Sequence, residues 1–120
     1  AINGDGETSR DFCFIQNVVQ ANLRAGITEN PEAGNQVYNV AVGDRTTLNQ
    51  LHAAIAEALA TVRPALTVAA PAYQDFRAGD VRHSLADVSK ARRLLGYEPT
   101  DDVRAGLKKA VAWYVKNVAD

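Results

Sequence analysis

Runs of β-branched residues alternate with stripes of apolar residues spaced three and four apart, and this alternation limits the chain to α/β architectures. The clearest stripe begins after Thr47, a good helix N-cap, and stops before Pro64, which cannot continue a helix. Its apolar positions are Leu48, Leu51, Ile55, Leu59 and Val62. The pattern predicts a helix whose apolar face packs on the core.

Three further helices are predicted from the same periodicity and from capping residues. They run from Asn17 to Gly26, from Asp87 to Gly96, and from a cap at Asp101 or Asp102 towards the end of the chain. Their predicted inner faces are Val18, Val19, Asn22 and Leu23; Val88, Ala91 and Leu95; and Val103, Leu107, Ala110, Val111, Tyr114 and Val118. We assign these stripes to the core and give them no ligand.

Short segments rich in β-branched or aromatic residues are typical of strands, and the sequence has four of them before or between the helices. They are residues 2–3, 11–15, 36–42 and 66–72. Residues 36–42 read as a strand of the buried type. The sequence therefore predicts an α/β fold with a small, partly parallel sheet, formed as a single domain over residues 1–120.

Charge and composition exclude some functions for this domain. The apolar fraction of 47% is that of a folded globular protein, and 13 basic residues face 14 acidic ones. A general nucleic-acid binder would show a basic excess, so we expect no nucleic-acid partner. DNA binding through the basic segments "SKARRLL" and "LKKAVAWYVKN" remains the weakest alternative, because such residues usually form solvated helix faces.

The cysteine and histidine content argues against disulfides and zinc. Cys13 is the only cysteine, so no internal disulfide can form, which fits a reducing compartment and a cytoplasmic location. Neither His52 nor His83 has another histidine or a cysteine at ligand spacing. The sequence has no apolar run long enough to span a bilayer and no signal-peptide pattern, so no membrane partner is expected.

Two arginine-aspartate stretches are the candidates for chemistry. Arginine binds phosphate oxygens through two parallel N–H groups, and aspartate accepts hydrogen bonds from ribose hydroxyls. The sequence R-x-G-D from Arg77 to Asp80 offers both partners, and Arg10 would add a second cation if the fold brings the stretches together. The alternative interpretation is a set of surface ion pairs, each of small energetic value.

Four motifs, in order, cover nearly the whole chain: "INGDGETSRDFCFIQNVVQANL", "YNVAVGDRTTLNQL", "YQDFRAGDVRHSLADVSKARRLLGYEP" and "AGLKKAVAWYV". Together they resemble the C-terminal, substrate-binding part of the extended short-chain dehydrogenase/reductases. "RDFCFI" with "DVRHSLADVSKA" most resembles the UDP-N-acetylglucosamine 4-epimerases of bacterial surface-polysaccharide biosynthesis, within the NAD-dependent epimerase/dehydratase family.

The resemblance implies a UDP-sugar site. Carried over onto matching positions, Arg10 and Arg77 would bind the diphosphate, Asp80 the uridine ribose and Asn3 the uracil. Ser84 matches a position bordering the sugar pocket, where a small side chain admits an N-acetyl group and a large one excludes it. An ordinary strand serine bonded to the backbone is the other interpretation of Ser84.

Two parts of such an enzyme are missing from the sequence. The family binds NAD through an N-terminal glycine-rich fingerprint, and no G-x-G-x-x-G or G-x-x-G-x-x-G occurs here. The catalytic base is a tyrosine four residues before a lysine. The residues at that spacing from Tyr38, Tyr73, Tyr97 and Tyr114 are Val42, Arg77, Asp101 and Val118.

We therefore expect an inactive fragment with no cofactor of its own, whose parent uses NAD held by a missing N-terminal half. The abrupt start "AINGDG" supports this expectation. Loss of that half would expose apolar surface, so self-association is also expected. Alternatives are a fragment of another UDP-sugar enzyme, such as a UDP-glucose 4-epimerase or a UDP-glucuronate decarboxylase, and a free-standing, non-catalytic binding or assembly module.

Overall fold

The computed structural model describes residues 1–118 and has four helices and four short strands. The strands are β1 (Ile2–Asn3), β2 (Ser9–Arg10), β3 (Thr46–Thr47) and β4 (Tyr73–Gln74). The helices are α1 (Ile15–Ile27), α2 (Leu48–Val62), α3 (Ser89–Leu95) and α4 (Val103–Asn117), with a 3₁₀ turn at Pro31–Ala33. The predicted α/β fold with a small, partly parallel sheet is confirmed.

The strands form two pairs. β1 lies parallel to β4, and β2 lies antiparallel to β3. Ser9 also makes a parallel bridge to His83. As a result, residues 73–84 run alongside residues 2–10 in the same direction, although about 70 positions separate them in the sequence.

Three of the four predicted strands, residues 11–15, 36–42 and 66–72, do not form strands in the structure. Residues 11–14 are an irregular approach to α1, which already begins at Ile15. Residues 36–42 have no ladder partner in the described part of the chain, and the Asp11 carboxylate instead accepts the N–H groups of Val42 and Gly43 at 3.0 and 2.9 Å. Residues 66–72 reach β1 only at their end, where the Ala72 carbonyl accepts the Ile2 N–H, so pairing begins at β4.

The helix ends follow local capping chemistry. Thr47 and Gln50 form a reciprocal capping box at the start of α2, with bonds of 3.1 and 2.8 Å. Asp102 caps α4 by accepting the Ala105 N–H, and Gly96 ends α3 with a positive φ of 63°. Asp87 was predicted to be the cap of α3, but Val88 occupies the N-cap position. The Asp87 carboxylate accepts the N–H of the first helical residue, Ser89.

Helix α1 presents a different face to the core from the one predicted. Its buried residues are Asn17 and Ala21. The apolar residues Ile15, Val19, Leu23 and Ile27 are between 48% and 76% exposed. Gly26 lies within the helix and does not stop it. An apolar stripe with a spacing of four residues is therefore open on α1.

The predicted inner face of α3 is buried, whereas the predicted inner face of α4 is buried only in part. Val88, Ala91 and Leu95 are buried around α3, and Val111 is buried on α4. Tyr114 and Val118 were predicted to face the core of α4, but both are more than half exposed. No helix in the described residues is long and apolar enough to cross a membrane.

The core is built around Tyr97, which is fully buried among small residues. Ala21 from α1, Ala91 from α3, Ala41 and Val88 surround it. The Tyr97 hydroxyl donates a 2.7 Å hydrogen bond to the Ala41 carbonyl. This cluster ties α1 and α3 to the extended residues 36–42.

The molecule is flatter than a complete domain of its size. Its extents are 52 × 36 × 20 Å, and its radius of gyration is 17.0 Å where a compact chain of this length has about 14 Å. Its accessible surface is 8075 Å², compared with about 6,300 Å² for a compact monomer of its mass. The difference of about 1,800 Å² is about twice the roughly 800 Å² that one partner buries in a standard protein–protein interface.

Candidate functional site

The two arginine stretches meet where residues 2–10 and 73–84 lie side by side. Backbone hydrogen bonds join the segments at both ends, with Gly4 N–H donating to the Gln74 carbonyl at 2.8 Å and Ser84 N–H donating to the Ser9 carbonyl at 3.1 Å. Between these points the segments form two facing loops, residues 4–8 and residues 75–81. We call these the acidic loop and the arginine loop, because they carry Asp5 and Arg77 respectively.

Arg10 and Asp80 form a direct ion pair across the two segments. One guanidinium nitrogen of Arg10 donates to the Asp80 carboxylate. The other terminal nitrogen donates to the Ser9 carbonyl at 2.8 Å. The two side chains keep 29% and 38% of their surface exposed, so both remain accessible from solvent.

Arg77 and Asp80 are the ends of one tight turn. The Asp80 N–H donates to the Arg77 carbonyl at 3.2 Å. Gly79 has a φ of +79°, in the left-handed region, and a Cβ there would meet no atom within 4 Å. Glycine is favoured at this position because of its backbone conformation, since a side chain would have room there. Arg77 is exposed on this turn.

Ser84 and Asn3 lie at opposite ends of the paired segments. Ser84 is exposed and bonds through its N–H to Ser9, next to Arg10. Asn3 is half-buried in β1, in register with Gln74 of β4. The structure thus brings Arg10, the Arg77–Asp80 turn and Ser84 to one end, and it places Asn3 beyond the acidic loop.

A second ion pair joins the two loops and was not predicted. Arg82 donates two hydrogen bonds to the Asp5 carboxylate, at 3.0 and 2.7 Å. The guanidinium of Arg82 holds the pKa of Asp5 below its ordinary value, and the Glu7 N–H lowers it further. Arg82 also lies over the ring of Phe76, 5.5 Å from the ring centroid.

The acidic loop is also held from the side of α2. Asn49 donates to the Asp5 carbonyl at 3.1 Å and to the Glu7 carboxylate at 2.7 Å. Its side-chain oxygen accepts the Tyr73 hydroxyl at 2.9 Å. Asn49 therefore links the acidic loop, α2 and β4 at one point.

A cavity of about 330 Å³ lies elsewhere, between the N-terminal ends of α2 and α4. Its lining includes Asp44, Arg45 and Arg104, but none of the five predicted site residues. Arg77, Asp80 and Ser84 are exposed and Arg10 is half-buried, and we call the surface that these four residues form the arginine patch. The described residues contain no cluster of side chains suited to a metal ion.

No protein-family model matches the chain. Among curated proteins, the chain is 38% identical over 116 residues to a UDP-glucose 4-epimerase from Mycolicibacterium smegmatis. The matched region covers 94% of this chain and 33% of that protein. The chain thus spans about a third of the length of the relatives it matches.

Solved structures give the same result at the level of the fold. The UDP-glucose 4-epimerase of Thermotoga maritima, solved with UDP-glucose, is 37% identical with a TM-score of 0.78, over 98% of this chain and 35% of that one. The UDP-N-acetylglucosamine 4-epimerase of Methanobrevibacter ruminantium was solved with UDP-N-acetylmuramic acid. It is 32% identical with a TM-score of 0.81, and the match covers 98% of this chain and 34% of that one.

A more distant neighbour carries a cofactor. The UDP-glucuronic acid 4-epimerase of Bacillus cereus, solved with UDP-glucuronic acid and NAD, is 26% identical with a TM-score of 0.77, over 98% of this chain and 35% of that one. The sugars therefore differ among these enzymes, while the fold and the reaction type are shared. In sequence and in fold, this chain is similar to the C-terminal third of the UDP-sugar 4-epimerases of the NAD-dependent epimerase/dehydratase family.

Proposed function

We propose that this chain is the UDP-sugar-binding part of a NAD-dependent UDP-sugar 4-epimerase. The observation that carries the proposal is the contact between Arg10 and Asp80, which are 70 residues apart in the sequence. A nucleoside diphosphate needs a cation for its phosphates and an acceptor for its ribose within one small patch.

Each residue of the patch has a chemical role in this proposal. Arg10 has five N–H donors, and the two hydrogen bonds it makes here leave three for phosphate oxygens. Arg77 supplies the second cation from the same turn as Asp80, whose remaining lone pairs accept the ribose hydroxyls. Asn3 would bind the uracil at the far end of the acidic loop.

We propose an N-acetylhexosamine as the sugar, on the basis of Ser84. A short side chain at the end of the patch leaves room for an acetamido group, and Ser84 is exposed there. A fragment of a UDP-glucose 4-epimerase is the second candidate, because the 38% identical relative carries that name. Replacing Ser84 with tyrosine should separate the two sugars, by weakening UDP-N-acetylglucosamine binding and leaving UDP-glucose binding unchanged.

The chemistry itself would belong to the missing part of the enzyme. The sequence contains neither the dinucleotide fingerprint nor the Tyr-x-x-x-Lys pair, so we expect no epimerase activity and no NAD binding from this chain alone. An N-terminal NAD-binding half would supply the hydride carrier and the base. We place the whole enzyme in cytoplasmic nucleotide-sugar metabolism for polysaccharide biosynthesis.

Calorimetric titration with UDP, UMP and NAD tests this proposal. We expect UDP to bind at least about tenfold more tightly than UMP, because the second phosphate gains charge-assisted hydrogen bonds from the arginines. NAD should give no heat of binding. Equal affinity for UDP and UMP would mean that the patch is not a diphosphate site, and micromolar NAD binding would contradict the division of roles.

A further inference from the structure

The arginine loop is closed at its base by two side chains that touch each other. Phe76 precedes the five residues 77–81, and Arg82 follows them, with its guanidinium 5.5 Å from the centre of the Phe76 ring. A cation over an aromatic face is attracted by the ring's quadrupole. This contact therefore joins the two ends of the loop that carries Arg77 and Asp80.

The same two side chains attach the loop base to the acidic loop. Arg82 pairs with Asp5 through two parallel hydrogen bonds. Phe76 packs on Gly4, where a Cβ would lie 2.3 Å from the ring, and Gly4 has a φ of +80°. Gly4 backbone, Phe76 ring, Arg82 guanidinium and Asp5 carboxylate thus form one continuous stack across both loops.

An isolated, exposed ion pair is worth little, and both Asp5 and Arg82 are nearly half exposed. The bidentate geometry and the ring beneath the guanidinium distinguish this pair from an isolated one. Its location matters more than its strength, because it lies between the β1–β4 pairing and the Ser9–His83 bridge. Without it, residues 75–81 would be held by their ends and by the ion pair between Asp80 and Arg10.

We propose that Arg82, with Asp5 and Phe76, positions the arginine loop for the nucleotide diphosphate without contacting the ligand. For its ligand, this inference rests on the proposed function. A loop that is ordered before binding loses less entropy when the ligand binds. Losing the stack should therefore weaken UDP affinity, although every side chain that contacts the UDP is still present.

The test compares four variants of the full chain: Arg82→Ala, Asp5→Arg, the exchanged pair Asp5→Arg with Arg82→Asp, and the control Arg104→Ala. The control removes the exposed ion pair between Arg104 and Glu57, which joins α4 to α2 away from both loops. UDP affinity is measured by calorimetry, and loop order by amide hydrogen exchange at Asp80 and Ser84.

We expect each single loop variant to weaken UDP binding by about tenfold and to speed exchange at Asp80. The exchanged pair should bind UDP more tightly than either single variant, because opposite charges again face each other across the loops, but more weakly than the wild type, because residue 82 no longer places a cation over the Phe76 ring. Arg104→Ala should match the wild type in both measurements.

Wild-type affinity and exchange in Arg82→Ala would overturn the positioning role. An exchanged pair that binds UDP no more tightly than Asp5→Arg alone would also overturn it, since restoring opposite charges across the loops would then have no effect on affinity. If the wild type binds no UDP, the proposed function fails. Exchange at Asp80 then decides the positioning role alone, with faster exchange in Arg82→Ala supporting it and unchanged exchange refuting it.

Discussion

Replacing Asn17 with alanine should cost more stability than any substitution on the exposed side of α1. Asn17 is fully buried, and its side chain joins α1 to the residues just before α4. Its amide nitrogen donates to the Asp101 carbonyl at 2.7 Å, and its oxygen accepts the N–H groups of Thr100 and Asp101 at 2.9 and 3.2 Å. Alanine would leave these backbone groups without partners.

The size of the loss follows from burial. Asp101 is buried, so its N–H and its carbonyl would each lose a partner where water does not reach, whereas the exposed Thr100 can be rehydrated. Each unsatisfied buried group costs about 1–3 kcal/mol, so we expect a loss of about 3–5 kcal/mol. A loss of about 3 kcal/mol lowers the Tm of a domain of this size by roughly 10–15 °C.

Urea unfolding followed by circular dichroism measures this loss, and Asn22→Ala is the matched control. Asn22 lies on the same helix and is exposed, and its side chain donates to the Val18 carbonyl one turn back. Its removal should change stability by less than about 0.5 kcal/mol. If Asn17→Ala and Asn22→Ala unfold at the same urea concentration, the buried network does not hold α1 to α4.

Three further predictions concern other parts of the chain. Burial raises the pKa of Tyr97 well above its ordinary 10.0, so the stability that depends on its neutral hydroxyl is present below pH 10 and falls as the pH rises further. Tyr97→Phe should lower the free energy of unfolding in urea by about 1–2 kcal/mol at pH 7, and the variant should lack this loss of stability above pH 10. Hydrogen bonds from Ser89 lower the pKa of Asp87, so Asp87→Ala should destabilise the protein at pH 7, and the difference from the wild type should shrink as the pH falls below 3.8. The chain should self-associate through its open surface, with a sedimentation-equilibrium mass above 12.9 kDa that Leu23→Glu on the α1 stripe returns to the monomer value; a monomer mass for the wild type at every concentration would contradict this.

Local chemistry made the helices predictable. A capping box at Thr47, a left-handed glycine at Gly96 and an aspartate cap at Asp102 act within four residues, so their signals are complete in the sequence. The strands were less predictable, since β pairing depends on partners far away in the chain. Residues 36–42 have strand-like composition but no ladder partner in the described residues.

The buried face of α1 was mispredicted for a related reason. Periodicity places apolar residues inside, yet here a polar residue, Asn17, is buried because it satisfies backbone groups 84 positions away. The apolar stripe on the opposite side stays open. A chain that exposes about 1,800 Å² more than a compact monomer breaks the assumption that apolar stripes are covered.

The site was predictable only in part. Spacing offered Arg77 and Asp80 together, and it offered Arg10 as a second cation if the fold brought the two stretches together, but it did not show that Arg10 and Asp80 would touch. Arg82 and Asp5 were missed because an arginine and an acid 77 positions apart carry no joint signal in one sequence. Their contact becomes visible only when the two loops face each other.

Titration of UDP into the wild type, Arg10→Ala and Arg104→Ala is the most direct test of whether Arg10 belongs to a UDP site. Charge-assisted hydrogen bonds contribute about 1.5–3 kcal/mol, so we expect Arg10→Ala to bind UDP at least about tenfold more weakly than the wild type. Arg104→Ala removes a cation of equal charge outside the patch and should bind like the wild type. Equal UDP affinity in all three proteins, or no binding to the wild type, would contradict the assignment of this surface to UDP.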